Sequence, residues 1–144
     1  MLAKHCNEII LIKGNHDTIL GPIAKKRNVK IMGSVMVGNV LIAHGDKIPG
    51  KEILSRASSI IIGHEHPAIS LKKGPRTETY KCYLKGKYKG KSLIVQPSFN
   101  PLLEGTDILK EEILSPFLEQ NLDNFEVFVV EDKIYNFGKL KDLR

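Results

Sequence analysis

Three short apolar runs, residues 9–12, 40–43 and 60–62, each give way almost at once to a loop of glycine, histidine and acidic or amide side chains. The loops read Gly14-Asn15-His16-Asp17, Ala43-His44-Gly45-Asp46 and Gly63-His64-Glu65-His66-Pro67. A continuous apolar run of this length is the pattern of a strand buried on both faces, as in a parallel sheet. A loop that leaves such a strand is held by a rigid frame, which is where α/β proteins assemble their sites. The rest of the first half fits that frame. Residues 18–27 and 51–57 read as short helices, the second beginning after Pro49-Gly50, and residues 29–37 and 39–43 read as a hairpin about Gly38.

The second half differs. Residues 68–71, 79–84, 92–95, 126–130 and 133–137 alternate or run apolar at strand length and predict an antiparallel, β-rich layer. Glu131-Asp132-Lys133 is a turn between the last two, and residues 100–124 form a long connection with a helix expected over 108–114 and a break at Ser115-Pro116. The fold class is therefore α/β. With 144 residues and no repeat or linker, one domain over residues 1–144 is expected, large enough to bury roughly 70% of its unfolded surface.

No run approaches the ~18 apolar residues of a membrane helix, and the N-terminus lacks the apolar core of a signal peptide, which together predict a cytoplasmic protein without a membrane partner. Cys6 and Cys82, the two cysteines, lie far apart and outside any Cys-x-x-Cys pattern, so reduced thiols are expected. The net charge of +6 is concentrated in one stretch, where Lys72, Lys73, Arg76, Lys81, Lys85, Lys87, Lys89 and Lys91 face one acid, Glu78. Such a stretch can attract a polyanion by counterion release, with Lys81, Lys85, Lys87 and Lys89 as the candidate nucleic-acid contacts. It can equally be the lysine-decorated edge of a hairpin that resists strand pairing.

Each histidine motif has a plain structural reading. Asn15-His16-Asp17 can be an Asx-type turn, His44 a capping or solvent-facing residue, and His64-Glu65-His66 a chance pair; His5 lies outside every motif and reads as a surface residue. In combination they fit a metal centre. Two residues apart in extended backbone, His64 and His66 would point to one side and reach adjacent ions. The Asn15 amide oxygen, His44 and His64 would hold one divalent ion and His66 would contribute to a second, ~3.5–4 Å away, as two-metal hydrolases require. His16 would then be free to stabilise phosphate or act as general acid, with Asp17 orienting its ring.

These strings resemble the calcineurin-like metallophosphoesterase superfamily, whose ordered signature ends Gly-Asn-His-Asp/Glu, then His followed by Gly, then Gly-His-x-His. Gly63-His64-Glu65-His66-Pro67, the lysine-rich stretch and Gln96-Pro97-Ser98-Phe99-Asn100-Pro101 look most like an archaeal branch related to bacterial ligase-associated DNA-repair phosphoesterases. The resemblance implies a β-sandwich flanked by helices, two ions (Mn²⁺, Fe or Zn²⁺), and hydrolysis of a phosphate ester, nucleotide or nucleic acid included. It assigns Asn15, His44 and His64 to the second metal, His66 to the first, and catalysis to His16.

The family's Asp-x-His and Gly-Asp-x-x-Asp strings do not occur in this sequence, and Asp46, Asp107 and Asp123 do not stand in their pattern. The chain is thus expected to be the C-terminal portion of such an enzyme, its strands near Ile9 and Ile60 lacking neighbours and inviting oligomerisation. Two other readings compete: a natural short chain completed by an N-terminal partner or a second copy, and a non-catalytic remnant that binds nucleic acid or protein through residues 72–91.

Overall fold

The computed structural model describes residues 5–144; Met1–Lys4 and the side chain of Lys73, one member of the basic stretch, lie outside the described residues. In chain order the elements are β1 (Ile10–Ile12), α1 (Leu20–Lys26), β2 (Lys30–Met32), β3 (Ser34–Val37), β4 (Val40–Ala43), α2 (Lys51–Arg56), β5 (Ser59–Ile62), β6 (Pro67–Lys73), β7 (Arg76–Tyr88), β8 (Lys91–Val95), β9 (Thr106–Asp107), β10 (Glu126–Val130) and β11 (Ile134–Lys139), with a closing 3-10 turn at Leu140–Leu143. The α/β class holds, with strands far outweighing helices. No helix among the described residues is long and apolar enough to cross a membrane.

The main sheet runs β11-β10-β7-β8-β5-β4-β3, with β6 and β9 joined through β7. At its centre β4, β5 and β8 are parallel, built from Val, Ile and Leu whose branched side chains suit a pleated, buried surface. Their register stacks Leu41, Ile60 and Leu93 in one row and Ala43, Ile62 and Val95 in the next, all on one face. Leu84 of β7 and Val127 of β10 continue that face, and Leu54, Phe117, Leu118, Leu122, Phe125 and Leu140 close over it. Each such side chain, fully buried, contributes about 1.5–3 kcal/mol. The other face carries Ile42, Ile61 and Ile94 in register, all half-buried, beside Lys85.

The same central strands correct one expectation: Ile60 does not lack neighbours, because β5 is hydrogen-bonded to β4 on one side and β8 on the other.

The strand at Ile9 also finds a partner. β1 pairs in parallel with β2 (Ile10↔Lys30 to Ile12↔Met32), forming a separate two-stranded sheet. α1 connects the two and buries Ala24, while Ile19 and Ile23 stay exposed. β3 and β4 form the expected hairpin. The second half is antiparallel at β6/β7, β7/β8, β7/β10 and β10/β11, but β8 and β9 also make parallel pairings, with β5 and β6.

Two further expectations are corrected. The lysine-rich stretch does lie on hairpins, β6/β7 and β7/β8, but it is not wholly an edge, since β7 is also joined by β10 and Lys85 has partners on both sides. Nor does a helix form over residues 108–114. Asp107 Oδ1 accepts from Leu109 N at 3.0 Å, and its backbone oxygen accepts from Lys110 N and Glu111 N, which closes a single turn. The amides of Leu114 and Ser115 are taken by the distant Glu65 carboxylate instead of a helical ladder.

Candidate metal centre

All three motif loops leave the ends of strands, as their sequence order predicts. Because β4 and β5 are parallel with Ala43 opposite Ile62, His44 and Gly63 emerge side by side, and Gly63 N donates to His44 O at 2.9 Å. The loop after β1 approaches from the two-stranded sheet. It can do so because residue 14 is glycine: a Cβ there would stand 2.9 Å from His44 Cε1 and 3.0 Å from His44 Nε2.

His44 Nε2 stands next to two further donor atoms. His44 Nε2 lies 3.0 Å from Asn15 Oδ1 and 3.2 Å from His64 Nδ1, and the two imidazole rings meet edge to face at 4.9 Å between centroids. A ring nitrogen offers one in-plane position, either a proton or a lone pair, so Nε2 cannot make both contacts at full strength. Separations near 3 Å are what donors each ~2.1 Å from a common ion display. An amide oxygen and two imidazole nitrogens are donor types that a divalent cation accepts. Burial, then the neighbouring His64, holds the His44 pKa below its ordinary value despite the opposing pull of Asp46 and Asp17. A lowered pKa favours the neutral imidazole, which is the ligand form.

His66 stands apart from this trio. Its pKa is lowered by burial, by His64 and by Lys81, against a raising effect of Glu65, yet no hydrogen bond or ring contact joins it to the others among the described residues. The expected extended backbone is also corrected: His64 and His66 have φ of 55° and 50°, in the left-handed region. Such a conformation costs on the order of 1–3 kcal/mol per residue and persists where the surroundings over-determine it. Among the described residues no group of three or more His, Cys, Asp or Glu is placed to hold an ion, so neither His66 nor a nearby carboxylate joins His44 and His64 in such a group.

His16 is exposed, and its ring has no hydrogen-bond partner among the described residues, although its backbone oxygen accepts from Thr18 N at 3.0 Å. Asp17 does not orient it. The Asp17 carboxylate accepts from Gly14 N at 2.8 Å while Asp17 N donates to Gly14 O at 3.3 Å, a reciprocal pair that closes a turn over residues 14–17 in place of the expected Asx-type turn.

Comparisons with protein-family models, curated proteins and solved structures find no match.

Two residues that the sequence reading passed over belong to the same neighbourhood. Glu65, read as the spacer of His-x-His, is completely buried. Ser115, read as part of a chain break, is buried too, and its Oγ donates to Gly45 O at 2.8 Å. Both signals were faint, since a single charged or hydroxyl residue reports its burial only through the tertiary fold.

The basic residues divide. Strand alternation sets Lys81, Tyr83, Lys85 and Lys87 on one face of β7, opposite the buried Cys82, Leu84 and Tyr88. Lys81 Nζ donates to Ser98 O at 3.0 Å and to Asn100 O, fastening the loop after β8 to β7. Lys85 Nζ lies 3.7 Å from Glu126 Oε2. Lys89 sits at the β7–β8 turn, its Nζ 5.3 Å from the Tyr88 ring centroid.

Proposed function

We propose that this chain carries the histidine-rich part of a calcineurin-like, two-metal phosphoesterase site and serves the hydrolysis of phosphate esters. The observation that supports this reading is the approach of Asn15 Oδ1 and His64 Nδ1 to within 3.0 and 3.2 Å of His44 Nε2, from three loops whose order follows the superfamily signature. Asn15, His44 and His64 would hold one divalent ion and His66 would serve a second, with the carboxylate ligands contributed by another segment or a second copy. Bound there, Mn²⁺, Fe or Zn²⁺ supplies Lewis acidity and an acidified water. Exposed His16, one residue beyond Asn15, is free to hold a phosphoryl oxygen or give a proton to the leaving oxygen. A sandwich of two sheets belongs to this proposal as well.

Two measurements test it. Titration with Co²⁺ should give a saturable d–d spectrum that His44→Ala and His64→Ala abolish; absence of binding by the unaltered chain would sink the metal reading. Mn²⁺-dependent hydrolysis of a chromogenic phosphodiester and monoester should fall by about 10²-fold or more in His16→Ala while Co²⁺ binding persists.

The face of β7 supports a second reading, binding of nucleic acid. Lys81, Tyr83, Lys85 and Lys87 alternate cations with an aromatic ring along a strand, a pattern suited to phosphates and stacked bases. Retention of labelled single-stranded DNA should weaken with salt, survive chelator, and drop in Lys85→Glu/Lys87→Glu. Lys89, at the turn, should matter less.

A further inference from the structure

The buried acid between the two histidines has a bonding pattern of its own. Glu65 Oε2 accepts from Leu114 N at 2.9 Å and from Ser115 N at 2.8 Å, and Ser115 Oγ donates to Gly45 O at 2.8 Å. Three hydrogen bonds thus link the His64–His66 loop, through the connection that follows β9, to the residue immediately after His44. Bonds to a carboxylate are stronger than neutral ones, and two adjacent amides meeting one oxygen fix its position closely. Glu65 Oε1 has no partner among the described residues although it is buried. A side chain that merely filled this space would be apolar, because an unpartnered buried polar atom is costly. On either side of Glu65 the backbone turns left-handed, a conformation that needs an external restraint.

We propose that Glu65 is a positioning residue: its carboxylate, tied through Leu114 and Ser115 to Gly45, holds His64 and His66 in their left-handed conformations and sets His64 against His44 before any ion arrives. The metal part of this inference rests on the phosphoesterase reading; the positioning of the rings does not.

The test is made on the metal-free chain by nuclear magnetic resonance. An Overhauser contact between the His44 and His64 ring protons, together with the coupling signature of positive φ at residues 64 and 66, should be present in the unaltered chain. Glu65→Ala should lose both while amide dispersion of the sheet is kept, whereas Glu65→Gln, which retains an acceptor oxygen, should largely preserve them. Unchanged ring contact in a folded Glu65→Ala chain overturns the proposal. Should that variant not fold, Ser115→Ala cuts the link to Gly45 alone; weakening of the ring contact supports the proposal and an unchanged contact overturns it. Co²⁺ titration separates the two readings. Loss of affinity of about tenfold or more in Glu65→Ala is expected. A chain that binds no Co²⁺ but whose ring contact depends on Glu65 keeps the positioning role and loses the metal; one that binds Co²⁺ and keeps its ring contact equally with or without Glu65 keeps the metal and loses the positioning role.

Discussion

A methyl group at residue 14 would press on the His44 imidazole, with 2.9 Å to Cε1 and 3.1 Å to Asp17 Oδ2. Gly14→Ala should therefore displace the ring with a stability change of only about 1 kcal/mol, and Co²⁺ titration should show affinity reduced on the order of tenfold. His44 and His66 carry lowered pKa values, which fixes the direction of a pH effect. Above the ordinary value of 6.5 both are neutral in the folded and unfolded chain alike. Below it the unfolded chain binds protons that the folded one resists, so stability falls as pH drops from 6.5 through the lowered folded values. Thermal melts from about pH 7 to about pH 5.5 should show that loss, and His44→Gln/His66→Gln should flatten it. The cysteines should also separate. Burial, aided by Asp107, pushes the Cys82 thiol up to about 12, while Cys6 is exposed. A chromogenic disulfide reagent should titrate Cys6 promptly and Cys82 only on denaturation.

Along β5 the two faces differ in their neighbours, and the strand's end carries His64. Ile60 and Ile62 are fully buried, whereas Ile61 is half-buried between Ile42 and Ile94. Ile62→Ala should cost about 2–5 kcal/mol by transfer and cavity terms, measured by urea unfolding. Ile61→Ala should cost less, about 1 kcal/mol, because the apolar area removed from water there is smaller. An equal cost at the two positions would contradict the one-sided core. β7 makes a complementary case, since Lys85 has register partners on both sides and Lys87 on one. Charge reversal at Lys85 and Lys87 should leave stability within about 0.5 kcal/mol, as the exposed pair with Glu126 contributes little.

At the scale of the molecule, the candidate centre straddles two sheets, with Asn15 from the two-stranded unit and His44 and His64 from the main one. The smaller unit has three-residue strands that are half-buried at best, so its amides should exchange with solvent well before those of β4, β5 and β8. Under the proposed metal reading, Mn²⁺ or Co²⁺ should slow exchange in residues 10–32 selectively, because an ion bridging Asn15 to the histidines would tie that unit down. The amino-acid sequence by itself determined the strands that carry the motifs, both short helices to within a residue or two, and the grouping of Asn15, His44 and His64, since short-range apolar runs and turn residues encode these locally. Only the tertiary structure decided that β5 is central, that β7 is an interior strand, that His64 and His66 are left-handed, and that residues 108–114 forgo a helix. Those outcomes rest on contacts between residues far apart in the chain, above all the Glu65 carboxylate capturing amides some 50 positions away, and no local pattern records them.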